Sequence, residues 1–207
     1  MPASTTAATP GPRRVAILVY DGVTLLDVAG PAEVFKTANR FGADYQIVLL
    51  SPTGENVTSN LGFGITVERD VSAEPAADTY LVPGSDNFPR TPVPSTLAEA
   101  AAIPAAGARR VASICTGAFI LAAAGLLGGK RATTHWNVAR ELAARCPTCE
   151  VEPDAIYVRD GNTYTSAGVT AAVSSSAPSG PSSSAADSPS ARSSQTSRAA
   201  MTPPASS

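Results

Sequence analysis

A few short apolar runs, each ended abruptly by a turn, decide what this chain can fold into. Val15-Ala-Ile-Leu-Val-Tyr20 is one, closed by Asp21-Gly22, and Thr79-Tyr-Leu-Val82 is another, broken by Pro83-Gly84. Residues 45–51 and 110–114 are two more. Runs without polar alternation have no face to offer water, so they fit parallel strands covered on both sides. Helical stretches lie between them. Residues 25–39 carry Leu26, Ala29, Val34 and Phe35 on an apolar face, and the alanine-rich 96–106 has its end limited by Pro104. Residues 117–127 precede the closing pair Gly128-Gly129, and 136–145 read as a further helix. Shorter strands are expected as an exposed pair over 61–68, at 131–134, and as 151–159 with 163–166 about Asp160-Gly161. This alternation predicts an α/β fold: a mostly parallel open sheet with helices on both faces.

Composition narrows the function classes. At 207 residues there is room for one ordinary domain, and 43% hydrophobic residues suffice for its core. The formal net charge is −2 with no basic stripe, so this chain as written is not expected to bind DNA. Residues 1–12 lack the apolar stretch of a signal peptide, and the longest apolar run, 118–127, is about half a membrane-spanning helix. A cytoplasmic protein without membrane association is expected. Three cysteines do not suggest a disulfide framework. Cys146-Pro-Thr-Cys149 has the spacing of half a zinc site or a redox couple, but it has no second pair and follows a helix end. No metal and no cofactor is expected.

The chemistry centres on Val111-Ala-Ser-Ile-Cys115-Thr-Gly117. A strand runs straight into a helix with a cysteine at the junction, which holds the side chain above the C-terminal edge of the sheet. Amides at the following helix start favour thiolate over thiol and can stabilise an oxyanion. Gly84, at the end of another strand, is placed to add an amide of its own. A cysteine at such a junction is also an ordinary inert core residue, so its company matters. Asp27, past the first strand, and His135, the single histidine, past another, both fall at strand ends that meet in one crevice. His135 reads either as a pocket residue or as a satisfied structural one, and Trp136 as packing beside it.

The segments Val19-Tyr-Asp-Gly-Val-Thr-Leu-Leu-Asp27-Val-Ala-Gly-Pro, Val82-Pro-Gly84, Ser113-Ile-Cys115-Thr-Gly and Ala132-Thr-Thr-His135-Trp resemble the ThiJ/PfpI (class I glutamine amidotransferase-like) family. Asp160-Gly161 with Thr165-Ser-Ala-Gly-Val-Thr170 narrows the likeness to the sensor half of GlxA-type regulators of the AraC family. The resemblance spans residues 13–171. It implies a flavodoxin-like sheet with Cys115 as the elbow cysteine. It also implies that Asp27 is the acidic residue which, in isonitrile hydratases, delivers the thiolate and shuttles a proton. Thr116 follows the cysteine in those hydratases too. Protease-like members have histidine there, so their dyad is absent.

From Ser174 onward the last 34 residues hold 14 Ser, 7 Ala and 5 Pro, and no Leu, Ile, Val, Phe, Trp or Tyr. Such a segment buries too little to offset its ordering entropy. The expected organisation is a disordered 1–12, a folded domain 13–172 and a disordered tail 173–207. A frame change in a GC-rich gene would turn an apolar helix into such a string. The expectation is therefore a regulator truncated before its helix-turn-helix half; the plain alternative is a natural disordered tail. Two functional readings stay open. One is a small-molecule-sensing domain, homodimeric, with an unidentified ligand. The other is a stand-alone cysteine hydratase or hydrolase in which Cys115 attacks, Asp27 moves the proton, and the Gly84 and Thr116 amides hold charge. Gly84, Thr116 and, in its pocket reading, His135 are the candidate binding residues. A non-functional fragment is the third, duller reading.

Overall fold

The computed structural model describes residues 11–74 and 76–168. The expectations for the tail, for nearly all of the N-terminal segment and for 169–172 lie outside the described residues. In chain order the elements are β1 (Arg13–Leu18), α1 (Leu25–Asn39), β2 (Tyr45–Ser51), β3 (Val57–Thr58), β4 (Gly64–Ile65), β5 (Arg69–Asp70) and β6 (Thr79–Val82). There follow α2 (Ser95–Gly107), β7 (Arg110–Ile114), α3 (Gly117–Ala123), β8 (Arg131–Ala132), α4 (Ala139–Arg145), β9 (Glu150–Val151), β10 (Tyr157–Asp160) and β11 (Thr163–Ser166).

The apolar runs form the middle of a seven-stranded sheet ordered β10-β11-β7-β6-β1-β2-β5. Its pairings are parallel except β10 with β11. β6 is buried at every residue and β7 at four of five, as strands covered on both sides must be. From β1 the chain steps one way to β2 through α1, and from β6 the other way to β7 through α2. Right-handed crossovers in opposite directions put the two helices on opposite faces. The order therefore reverses between β1 and β6, and the crevice at the C-terminal ends of those strands is where this fold opens to ligands.

Several expectations need correction. The exposed strand pair is β3 with β4, a hairpin at 57–65 rather than 61–68, with two-residue strands too short to show periodicity. The helix after the elbow ends at Ala123, and Gly125, at φ +74°, turns the chain where the sequence read on to Leu127. Val151 pairs with Ala132 rather than extending the final hairpin. Residues 136–138 form a 3₁₀ turn ahead of the shorter α4. Pro104 does not end α2, which continues to Gly107 with Pro104 buried. The largest change is in α1. Its buried residues are Asp27, Val28, Pro31 and Phe35, while Leu26 is 60% exposed. The helix is rotated so that a carboxylate, not a leucine, faces inward toward the crevice.

Candidate functional site

Cys115 follows β7 directly and is the one non-glycine residue with positive φ, +52°, among the described residues. Both of its backbone groups are held. Its N–H donates to the Ser166 carbonyl at 3.0 Å, and its carbonyl accepts from the buried Thr134 hydroxyl at 2.9 Å. A left-handed cysteine costs about 1–2 kcal/mol, which such bonds must offset. Gly117 makes the elbow possible. A Cβ there would collide with the Val82 carbonyl at the end of β6.

The neighbouring strand end is built just as tightly. A Cβ on Gly84 would stand 2.5 Å from Thr116 Oγ1 and 2.9 Å from Asp27 Oδ2. Thr116 Oγ1 accepts from the Ser85 amide at 2.8 Å and donates to the Ser85 carbonyl at 2.7 Å, tying the two turns together. The Gly84 N–H donates to Asp27 Oδ2 at 3.1 Å. This overturns one expected role. The Gly84 amide is committed to a carboxylate and is not free for an oxyanion, because the rotated α1 brings Asp27 against it.

Asp27 is 1% exposed, and burial pushes its carboxyl up to about 6; nearby Asp86 adds to the rise, while the Gly84 amide and His135 oppose it. Burial, and after it the Asp27 carboxylate, push the half-buried Cys115 thiol up to about 12 against the pull of Thr116. The expectation of a favoured thiolate is thus reversed. The helix after the elbow has only seven residues, and desolvation outweighs what its amides offer. Burial disfavours charge on both groups, and a charge on either one disfavours charge on the other.

The five residues picked from the sequence do converge. Cys115, Thr116 and His135 line one cavity of about 400 Å³, with Thr24, Asp86, Arg90 and Glu141 among the other walls. Asp27 and Gly84 sit behind Thr116. His135 Nδ1 pairs with Asn137 Oδ1 at 2.5 Å, so the ring turns to its own loop. Asp86 was within reach of the strand-end rule, since it follows the strand-ending Pro83-Gly84; Glu141 carries no signal in the sequence. Trp136, read as packing, is 73% exposed. Cys146 and Cys149 are joined to each other, with Cα atoms 5.3 Å apart. No group of three or more metal-ligating side chains occurs among the described residues, and no helix among them is long and apolar enough to cross a membrane. A larger cavity, about 660 Å³, shares no lining residue with the thiol pocket.

Known proteins match most of this chain. The "uncharacterized protein in cpoL 5'region" of Streptomyces lividans is 53% identical over 68% of this chain and 99% of its own length. The isonitrile hydratase of Pseudomonas putida is 35% identical over 77% of this chain and 67% of its length. The HTH-type transcriptional regulator GbdR of Pseudomonas aeruginosa is 29% identical over 77% of this chain, which spans only 44% of that regulator. Among solved structures, a ThiJ/PfpI family protein from Pseudomonas syringae superposes with a TM-score of 0.67 at 31% identity, covering 84% of this chain and 72% of the other. An AraC family transcriptional regulator from Pseudomonas putida also reaches a TM-score of 0.67, at 25% identity, over 79% of this chain and 88% of that one. The model of the DJ-1/PfpI family matches residues 13–175, the whole of the sheet and its elbow included, and the chain belongs to that family.

Proposed function

We propose that this domain binds a small molecule on behalf of an AraC-type transcriptional regulator. The observation that carries the reading is the resting state of the site. The Gly84 amide that an oxyanion would need is occupied by Asp27, and burial beside that carboxylate pushes the thiol up. Such a site is poorly set to attack an electrophile, which leaves binding as the role of the domain. Similarity to regulators over this domain, at 28–29% identity, supports the same reading. The aligned stretch is under half of each regulator, so the whole regulator needs more than this domain. A ligand screen by thermal shift tests the proposal. A true ligand raises the melting temperature with the logarithm of its concentration above Kd and does so equally in Cys115→Ser. A ligand whose effect vanishes in Cys115→Ser, or a screen without any stabilising compound, would count against it.

A second reading has its own support. The isonitrile hydratase relative is more similar to this chain than the regulators are, and the Asp27–Cys115 pair is intact. In that reading Cys115 sulfur bonds to the isonitrile carbon as its proton passes through Asp27 to the substrate. Water then adds to the same carbon, the C–S bond breaks, and an N-substituted formamide leaves. Formamide production that is lost in Cys115→Ala and Asp27→Asn would make this the better account.

A further inference from the structure

The 660 Å³ cavity lies at the C-terminal ends of β1 and β2 and takes no part in the site above. Its size falls in the range of ordinary ligand sites, which are mostly apolar with a few placed polar groups. The rings of Tyr20 and Phe88, 5.5 Å apart, form one wall, and Val57 and Leu97 extend the apolar lining. Its charged lining residues are Asp21 and Glu55, with no Lys, Arg or His. Asp21 Oδ1 accepts from the Thr58 amide at 2.8 Å, which fixes that carboxylate in place. Glu55 makes no side-chain bond among the described residues. An anion in this space would meet two like charges and no counter-charge, whereas a cation with a short apolar body satisfies the carboxylates, the rings and the walls together.

Two short segments line both cavities: residues 20–24, with Tyr20 and Asp21 on one side and Thr24 on the other, and residues 86–91. Residues Asn87, Phe88 and Thr91 line the large cavity, and Asp86, Pro89 and Arg90 line the thiol pocket. Arg145 holds this second segment. Its guanidinium donates to the carbonyls of Phe88, Pro89 and Thr91, the last two at 2.9 Å. Three carbonyls of this segment thus share one cationic anchor.

We infer that the large cavity is a small-molecule site for a compact organic ammonium ion, and that its occupancy is transmitted to the Cys115 pocket through residues 86–91. The inference rests on the sensing reading and gives it a place and a ligand class.

The test uses the full chain and three probes with one four-carbon skeleton: butylammonium, butanol and butyrate. Apparent affinity is read from the concentration dependence of the melting temperature. Butylammonium is expected to bind about ten-fold or more tightly than butyrate, with butanol between. The isosteric double variant Asp21→Asn/Glu55→Gln, at exposed positions, is expected to bring the three within about two-fold of one another. Saturating butylammonium is also expected to slow iodoacetamide labelling of Cys115 at least about two-fold in the wild type and not in the double variant. Equal binding of butyrate and butylammonium, a cation preference that survives the double variant, or no stabilisation by any probe overturns the site. Unchanged labelling overturns the transmission. A different ligand that stabilises the wild type and the double variant alike, but not an Asn137→Trp variant filled at the thiol pocket, also overturns this inference while the sensing reading stands.

Discussion

The two cysteine-bearing corners of the molecule use the same element in opposite settings. Cys115 sits in left-handed backbone, pinned at both peptide groups, with a buried carboxylate acting on its thiol. Cys146 and Cys149 close α4 in a loose turn, joined to each other, and the Cys149 sulfur rests 3.1 Å from the Leu127 carbonyl. Around that turn the glycines have space. A Cβ added at Gly129 would meet nothing within 4 Å, whereas Gly117 at the elbow has no room for one. The contrast teaches that a cysteine's chemistry here is set by backbone shape and by the charge beside it, not by the sulfur.

The sharpest way to break the contrast is at the glycines. Gly117→Ala forces a Cβ onto a strand carbonyl that cannot yield, and a loss of about 3 kcal/mol or more is expected in urea melts. Next comes Asp27. Its carboxyl titrates near 6 when folded against an ordinary value of 3.8. The folded state thus binds the proton more tightly, so the burial penalty is absent below pH 3.8, grows as pH rises to 6, and is constant above. Asp27→Asn is therefore expected to be up to about 3 kcal/mol more stable than wild type at pH 8, with the two curves converging by about pH 4. If the difference does not change with pH, the folded carboxyl binds its proton no more tightly than the unfolded one, and burial does not penalise its charge. The same variant removes a negative charge beside the thiol, and its iodoacetamide labelling at pH 8 should be several-fold, up to about ten-fold, faster than wild type. Cys146 and Cys149, joined to each other, offer no thiol and should stay unlabelled in both proteins. Smallest is Gly129→Ala, a φ of +70° in open space, for which a loss of about 1 kcal/mol is expected in the same melts.

Much of this frame was legible in the residues. β2, β6 and β7 fall on their apolar runs to the residue, and for β6 and β7 the reason is that a strand buried on both faces has little freedom in composition. The alanine-rich stretch past Ala123 was not legible, since Ala, Leu and Gly read alike in a helix and in the turn that Gly125 makes. The hairpin over 57–65 left no trace because two residues cannot show a period. At the site, the strand-end rule gathered Cys115, Thr116, Gly84, Asp27 and His135 at one edge of the sheet. The rotation of α1 escaped it. Ranking Leu26 above Asp27 by hydropathy put the wrong face inward, and with it went the hydrogen bond that occupies the Gly84 amide and the charge that raises the thiol. Burial of a carboxylate is a tertiary outcome that local patterning argues against.

The bond from the Cys115 N–H to the Ser166 carbonyl has a consequence in time. Residues 13–114 can pair their strands as they leave the ribosome, but the seat of the thiol needs a strand made about fifty residues later in the chain. Until β11 arrives beside β7, a nascent chain carries the cysteine without the geometry that restrains it. Closing that long loop is a slow, late event compared with helix formation. The thiol is thus synthesised early and seated last.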